Sequence, residues 1–240
     1  MDLGGKRVVV IGGTSGIGLG VARAALGDGA EIVVASSSAD KLAAMAETLP
    51  GAKALSVDVR EEASVAALFE QVGTLDHLVF TAGDWAMRGG GPVERVDIAA
   101  AAAQLEVRFW GAARAIKHAV PRIRGAGSIT LTNGMIAHRP RKGTAVSSAA
   151  AGAIEHLARA LAVELAPIRV NAVCAGLIRT PVWNMIPEDQ REERLQRMTR
   201  KLPVARVGEA EEAAQAYLYL MRGGYTTGQV LRVDGGQSAI

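Results

Sequence analysis

Hydrophobic residues along the chain follow two periods in alternation. Short β-branched runs bounded by glycine or polar residues predict buried strands, and longer stretches with apolar residues every three or four positions predict helices. The predicted strands are Arg7–Ile11, Glu31–Ala35, Lys53–Val57, His77–Phe80, Ser128–Thr132, Arg169–Val173 and Gln229–Val233. The predicted helices are Gly16–Leu26, Asp40–Leu49, Glu61–Val72, a long alanine-rich stretch over Asp97–Ile123, Ala145–Leu165 and Glu209–Met221.

The order of these elements indicates the fold. Strands that are separated by helical crossovers pair in parallel, and right-handed crossovers cover both faces of the sheet. We therefore expect an α/β protein with one Rossmann-type, doubly wound parallel sheet of about seven strands, flanked by helices on both faces. No proline- or serine-rich linker, repeat or low-complexity tract divides the sequence, which predicts a single domain over residues 1–240.

Composition narrows the range of partners. Hydrophobic residues make up 49% and aromatic residues only 4%, which suits closely packed helices against a buried sheet. The net charge of +3 is spread along the chain, so we expect no nucleic-acid partner. No apolar run approaches the roughly 20 residues that cross a bilayer, and no signal peptide is recognisable, so we expect no membrane partner. Cys174 is the single cysteine, which excludes an intrachain disulfide and favours a cytoplasmic location.

A glycine-rich loop joins the first predicted strand to the first predicted helix. Its glycines let the backbone approach a ligand closely, and the N-terminus of the helix offers free N–H groups and a positive dipole to a pyrophosphate. Glycine-rich turns are common, but a loop between a strand and a helix is typical of a dinucleotide site. The predicted contacts are Gly12, Thr14, Ser15, Gly16, Ile17 and Gly18.

The spacing of Gly12, Gly16 and Gly18 resembles the short-chain dehydrogenase/reductase family, and further matches follow in the family's order over nearly the whole chain. They are Asp58-Val59, Thr81-Ala82-Gly83 in place of the usual Asn-Ala-Gly, Arg169–Val173, Ala175-Gly176 with alanine for the usual proline, Thr180-Pro181, Thr227–Gln229 and Val233–Gly236. The resemblance implies a nicotinamide dinucleotide cofactor. The resemblance also implies further contacts with the cofactor, which are Asp58, Val59, Thr81, Ala82, Gly83, Ala175, Gly176, Ile178 and Thr180.

The end of the second strand bears on the choice between NADP(H) and NAD(H). An NAD site usually has a carboxylate there, which binds the ribose 2′-hydroxyl and would repel a 2′-phosphate. This chain has Ser36, Ser37 and Ser38, whose hydroxyl and N–H groups can bind a phosphate. Ser38 is equally suited to cap the N-terminus of the second helix. Arg60 either reaches the 2′-phosphate or is a solvated surface residue. NADP(H) is preferred, and NAD(H) stays open.

The catalytic positions depart from the family's pattern. Family members usually transfer hydride between the nicotinamide and a carbonyl or alcohol, using a tyrosine, a lysine four residues later, a serine and an asparagine. Residues 153–165 resemble the family's segment after the lysine, which places Ser147 at the tyrosine position and Ala151 at the lysine position. The serine position holds Gly134, or Asn133 if the turn shifts by one, and Arg108 takes the asparagine position. Loss of a positioned acid/base group costs about 10²–10⁴ in rate, so we expect a degenerate catalytic centre.

Two functions remain open. In the first, the chain is an atypical oxidoreductase for a small-molecule substrate, and Asn133 as oxyanion donor, Arg108 as electrophile or carboxylate anchor, Ser147, and His138 as acid/base replace the usual residues. Each has an alternative role: Asn133 fixes a turn, Arg108 pairs with Glu106 or faces solvent, and His138 belongs to a solvated basic loop.

In the second function, the chain binds the cofactor or acts as a scaffold without catalysis. The small residues of 147–153 lie on the helix with which family members form dimers and tetramers, so the resemblance also implies a homo-oligomer, either dimer or tetramer. The segment Thr180–Pro203 is either a mobile lid over the substrate or an ordinary exposed helix. Trp183 and Trp85 either line an apolar pocket or only pack near the cleft.

Overall fold

The structure, a computed structural model, describes residues 2–83 and 91–240. The strands are β1 (Arg7–Ile11), β2 (Glu31–Ser36), β3 (Lys53–Ser56), β4 (Leu75–Phe80), β5 (Ile123–Gly134), β6 (Arg169–Ala175) and β7 (Val230–Val233). The α-helices are α1 (Gly16–Gly27), α2 (Ala39–Ala43), α3 (Met45–Thr48), α4 (Glu62–Val72), α5 (Ile98–Leu105), α6 (Gly111–Ala119), α7 (Ala145–Glu164), α8 (Glu188–Thr199) and α9 (Ala210–Arg222).

The described strands form one seven-stranded sheet in the order β3-β2-β1-β4-β5-β6-β7. Each neighbouring pair is parallel, which confirms the predicted doubly wound α/β fold. The chain leaves β1 toward β2 and returns on the other side at β4. Such a reversal opens a crevice at the carboxyl ends of β1 and β4, where α/β proteins of this type bind ligands.

Apolar side chains pack on both faces of the sheet. Helices α4, α6 and α7 cover one face, where Phe69, Ile116 and Ile154 are buried. Helices α1 and α9 cover the other face, where Val21 and Tyr217 are buried. Burial on both faces explains why the strands read as continuous apolar runs rather than as alternating ones.

Two predicted helices are interrupted in the structure. The stretch Asp40–Leu49 divides at Ala44, because α2 buries no side chain whereas Met45 turns into the core. The alanine-rich stretch to Ile123 comprises α5, a π-helical turn over Glu106–Trp110, α6 and a short 3₁₀ turn that contains Pro121. Proline has no N–H to donate, so the helix ends there and β5 begins.

The ends of other elements also differ from the prediction. Strand β5 extends over twelve residues, because the exposed stretch 124–126 precedes its buried part. The charged segment after Pro187 forms α8, which buries Leu195 and Thr199 on one face. Among the described residues, no helix combines the length and the apolar character that spanning a bilayer requires.

Candidate functional site

The loop after β1 is a cradle whose glycines are required sterically. Gly12 has a φ of +88°, and a Cβ there would lie 2.6 Å from the backbone nitrogen of Ala82. Gly16 has a φ of +53°, in the left-handed region that favours glycine. A Cβ on Gly18 would collide with the carbonyl oxygen of Gly12 and the hydroxyl of Thr81. The three glycines predicted from the sequence therefore keep this cradle open.

The cradle leads into the N-terminus of α1. Ser15 is the N-cap residue and its side chain makes no capping hydrogen bond, so the first N–H groups of α1 have no side-chain cap in the described part of the chain. Uncapped N–H groups and the positive end of the helix dipole favour an anion at this position. Thr180 closes the loop from the side, since a Cβ on Gly16 would lie 3.2 Å from its Cβ. Thr14 and Ile17 are partly buried in the same loop.

The end of β4 is fastened to the end of β1. The backbone N–H groups of Thr81 and Ala82 donate to the carbonyl oxygen of Ile11 at 2.9 and 3.1 Å, and the Thr81 hydroxyl donates to the same oxygen at 3.1 Å. Arg108 lies against the next residue, because a Cβ on Gly83 would be 2.8 Å from its Nε. The structure thus places Arg108 beside the predicted nicotinamide edge of the crevice.

The serines after β2 have different surroundings. The N–H of Ser38 donates to the hydroxyl oxygen of Ser36 at 3.2 Å, and the Ser38 hydroxyl oxygen accepts from the N–H of Lys41 at 3.4 Å. Ser38 therefore caps α2, which was one of its two predicted roles. Ser37 is exposed at the carboxyl end of β2 and makes neither contact.

Asp58 and Arg60 form an ion pair after β3. Nη2 of Arg60 lies 2.6 Å from Oδ2 of Asp58, and its hydrogen bond holds the pKa of the Asp58 carboxyl below the ordinary value. Arg60 is largely exposed, so its ion pair with Asp58 contributes little stability. Arg60 can therefore bind another anion in place of the Asp58 carboxylate. Val59 is buried and packs on Gly111, where a Cβ would lie 2.8 Å from its Cγ2.

The end of β6 approaches the turn after β7. The N–H of Gly176 donates to the carbonyl oxygen of Val233 at 2.9 Å, and a Cβ on Gly176 would lie 2.6 Å from Cα of Asp234. Ala175 and Ile178 are buried on either side. The predicted contacts at the carboxyl ends of β1, β4 and β6 therefore border one crevice.

The four residues that the sequence analysis predicts at the family's catalytic positions lie at the following places in the structure. Gly134 is the last residue of β5, and Ser147 lies partly buried in the first turn of α7. Ala151 follows one turn later and is buried. Arg108 lies in the π-helical turn.

A buried cluster behind the end of β5 engages two other predicted candidates. Nδ2 of Asn133 donates to the carbonyl oxygen of Ala151 at 3.3 Å and to Oε1 of Glu155 at 2.7 Å. Nε2 of His138 lies 2.6 Å from the same Oε1, and Nη2 of Arg232 lies 3.3 Å from its Nδ1. Both amide hydrogens of Asn133 are used, so the predicted role of an oxyanion donor does not fit its contacts.

Glu155 is a buried charged residue of this cluster that the sequence analysis did not single out. Glu155 is only 5% exposed. Carboxylates are rarely buried without partners, so its burial indicates that other side chains bind it. The one signal in the sequence was its place four residues after Ala151, on the buried stripe of α7. Its partners come from β5 and from the turn after it, so only the tertiary structure identifies them.

Three potential metal ligands meet in this cluster. One ligand atom each of His138, Glu155 and Cys174 lies within 4.8 Å of the others. Asn133 and His138 both donate to one carboxylate oxygen, Oε1 of Glu155, and burial raises the pKa of the Cys174 thiol to about 12. A histidine that binds a metal through one ring nitrogen usually donates a hydrogen bond from the N–H of the other. Nδ1 of His138 instead faces the donor Nη2 of Arg232. These contacts favour a hydrogen-bonded cluster over a metal centre.

Arg179, which follows Ile178, links α8 to the N-terminus of α9. Arg179 lies 3.2 Å from Oε2 of Glu192 on α8 and 3.3 Å from Oε1 of Glu209, the N-cap residue of α9. Nε1 of Trp183 donates to the carbonyl oxygen of Ile178 at 2.7 Å, which packs this ring beside the end of β6. Trp85 lies outside the described residues.

The fold and the cradle at its switch point are those of a Rossmann-type α/β protein. A sequence model of one family, described as enoyl-(acyl carrier protein) reductase, matches residues 12–238. A short-chain dehydrogenase/reductase of Stachybotrys chlorohalonatus is 35% identical over 250 residues, covering 97% of this chain and 96% of the relative.

Two solved structures are similar over nearly their whole length. A small-chain dehydrogenase in complex with NADPH has a TM-score of 0.85 and 36% identity, covering 98% of this chain and 100% of that one. The MalC reductase/Diels-Alderase of Malbranchea aurantiaca has a TM-score of 0.89 and 31% identity, covering 98% of this chain and 96% of that one. The chain therefore belongs to the short-chain dehydrogenase/reductase family, a family of oxidoreductases.

Proposed function

We propose that the chain is an NADP(H)-dependent oxidoreductase that transfers hydride between the nicotinamide and a carbonyl or alcohol. The observation that carries the proposal is the glycine cradle, kept open by Gly12 and Gly18, at the uncapped N-terminus of α1. A pyrophosphate fits this position because backbone N–H groups and the helix dipole both favour negative charge. The crevice beyond the cradle, between the ends of β4 and β6, then receives the nicotinamide.

The preference for NADP(H) over NAD(H) rests on the end of β2. No carboxylate stands at Ser36, Ser37 or Ser38, and Ser37 is exposed and free of the contacts that engage its neighbours. Arg60 leaves Asp58 at little cost, so it is a second group suited to a 2′-phosphate. The similar dehydrogenase that was solved with NADPH supports the same preference.

Calorimetric titration with NADPH and NADH tests this preference. We expect NADPH to bind about tenfold or more tightly than NADH, a difference of about 1.4 kcal/mol. The Ser37→Asp variant places a carboxylate at the end of β2, and we expect it to lose NADPH affinity while NADH affinity stays the same. Equal affinities of the wild type for both coenzymes, or no measurable binding of either, would overturn the assignment.

The catalytic centre of this oxidoreductase is degenerate in our proposal. Bound NADPH supplies the hydride for the carbonyl carbon, and the carbonyl oxygen needs one proton. Ser147 stands at the tyrosine position, but a serine hydroxyl ionises far above neutral pH, and Ala151 offers no charge to change that. We infer that Ser147 orients the substrate and that water supplies the proton. Arg108 acts on the substrate as an electrophile or as the anchor of a substrate carboxylate. A slow reductase follows, because a positioned acid contributes about 10²–10⁴ in rate.

A carbonyl reduction screen with NADPH tests this chemistry. We expect slow but saturable oxidation of NADPH, and a Ser147→Tyr/Ala151→Lys double variant that is faster if the positions correspond to those of the family. The Ser147→Ala variant is the matched control, which keeps the helix and removes the hydroxyl.

A non-catalytic, NADP(H)-binding or scaffold protein is the second candidate function. It is favoured by one observation, that Asn133 and His138 use their polar groups within a buried cluster instead of offering them to a substrate. Tight NADPH binding without turnover of any carbonyl, coupled to a change in the binding of a protein partner, would select this function.

Further features complete the proposal. We infer that residues 1–240 act as one domain in the cytoplasm, with a small-molecule substrate. We also infer a homo-oligomer, either dimer or tetramer, because the small residues of 147–153 lie on α7, the helix that corresponds to the one with which family members form dimers and tetramers. Light scattering on the purified protein measures the number of copies.

A further inference from the structure

We propose that Glu155 is a positioning residue that holds the segment Gly134–Ala137 at the substrate side of the crevice. This inference goes beyond the glycine cradle, and its link to catalysis rests on the proposed function. Gly134 ends β5, and residues 135–137 form one 3₁₀ turn directly after it. Its first residue, Gly134, stands where the sequence analysis predicts the position of the family's substrate-orienting serine.

One carboxylate oxygen holds both ends of this segment. Oε1 of Glu155 accepts from Asn133, immediately before the segment, and from His138, immediately after it, at 2.7 and 2.6 Å. The three side chains come from β5, from the turn and from α7. Because the carboxylate is 95% shielded from solvent, water does not compete for these hydrogen bonds, and their loss is costly.

Glu155 also determines the orientation of the Asn133 amide. Oδ1 of Asn133 is buried and has no hydrogen-bond partner among the described residues. Only the two donor contacts of Nδ2 therefore distinguish this orientation from the flipped one, and the contact to Glu155 is the shorter of them. Without the carboxylate, only the longer contact to the carbonyl oxygen of Ala151, at 3.3 Å, still favours this orientation.

The same carboxylate selects the tautomer of His138. Arg232 carries only donors, so Nδ1 of His138 acts as an acceptor at 3.3 Å and the proton resides on Nε2. That N–H donates to Glu155. Arg159, with Nη2 at 3.7 Å from Oε2, adds positive charge beside the buried carboxylate.

The test compares Glu155→Leu, which removes both hydrogen bonds, with Glu155→Gln, which keeps the acceptor oxygen and removes the charge. Glu164→Gln is the matched control, since Glu164 is exposed on the same helix. Backbone amide exchange is the first readout, because it needs no ligand. We expect the amides of 134–138 to exchange about tenfold or more faster in Glu155→Leu, with residues 12–18 unchanged. We expect Glu155→Gln and Glu164→Gln to resemble the wild type.

Ligand binding and turnover are the second readout. We expect Glu155→Leu to bind NADPH more weakly while its affinity for 2′,5′-ADP, which lacks the nicotinamide half, stays unchanged. We expect kcat to fall by about 10²-fold, since misplacement by about 1 Å has that effect on a reaction that depends on orientation. If Glu155→Leu does not fold, His138→Ala, at a partly exposed side chain, removes one of the two contacts and is expected to show the same changes to a smaller degree.

The outcomes separate this inference from the proposed function. A wild type that binds NADPH but reduces no carbonyl ends the proposed oxidoreductase function, and amide exchange still decides the role of Glu155. Uniformly faster exchange over the whole chain in Glu155→Leu, or an equal loss of affinity for NADPH and 2′,5′-ADP, would show a general structural role and overturn the inference. Damage in Glu155→Gln as large as in Glu155→Leu would also overturn it, because the acceptor oxygen is still present in that variant.

Discussion

At the scale of single residues, the site depends on positions where no side chain fits. Gly12, Gly16 and Gly18 were predicted from their spacing alone, and the structure supplies a separate steric reason for each. The sequence could not show how Asn133 is used, because its partner Glu155 lies 22 residues away in the chain. Local spacing reports backbone requirements well, whereas a buried hydrogen bond between distant residues leaves no local signal.

Substitution of Gly18 by alanine should abolish the phosphate cradle. The added methyl group would collide with the carbonyl oxygen of Gly12 and the Thr81 hydroxyl, so the loop has to move away from the end of β4. We expect NADPH affinity to fall about tenfold or more, which corresponds to about 1.4 kcal/mol. Gly27→Ala, on the same helix, is the control, since its Cβ would meet nothing within 4 Å. Equal NADPH affinities of the two variants in calorimetry would contradict the assigned site.

At the scale of elements, one buried hydrogen bond joins β5 to α9. The hydroxyl of Thr132 donates to the carbonyl oxygen of Phe80 at 2.8 Å, and the Tyr217 hydroxyl lies 2.7 Å from the oxygen of Thr132. Tyr217 is fully buried, and burial raises the pKa of its phenol above the ordinary value. This tyrosine therefore joins α9 to the sheet through a buried hydrogen bond.

Replacement of Tyr217 by phenylalanine should weaken the fold modestly. The ring keeps its packing, and one buried hydrogen bond is lost, which is worth about 1 kcal/mol. We expect this decrease in the free energy of unfolding from urea titration, together with an unchanged affinity for NADPH. Tyr225→Phe provides the matched control, because that side chain is fully exposed and its loss should have no effect. A decrease of the same size in both variants would show that the hydroxyl contact does not matter.

At the scale of the whole molecule, stability should depend on one buried imidazole at the opposite end of the sheet from the cradle. Nδ1 of His77 lies 2.8 Å from the hydroxyl oxygen of Ser128, and burial lowers the pKa of His77 from 6.5 to about 4. The unfolded chain takes up this proton near pH 6.5, whereas the folded chain resists it until about pH 4. Stability is therefore greatest above pH 6.5 and falls as the pH drops through this window.

The His77→Asn variant tests this dependence. Asparagine keeps a polar group near Nδ1 and removes the titration. For the wild type we expect a loss of about 3 kcal/mol of unfolding free energy between pH 6.5 and pH 4, by linkage from the shift in pKa. We expect this component to be absent in His77→Asn and present in His156→Asn, whose side chain is exposed. Parallel pH profiles of the two variants in urea unfolding would contradict the assignment.

The sequence by itself determined the α/β class, the seven strands, and the glycine cradle between β1 and α1, because these depend on local periodicity and on backbone freedom. It also predicts departures from the family's pattern at Ser147, Ala151, Gly134 and Arg108, which follow from the register along two helical segments and one strand. Only the tertiary structure decided the break at Ala44 and the cluster around Glu155. The physical reason is that burial and hydrogen-bond partners arise from segments far apart in the chain, which meet only when the sheet and its helices pack together.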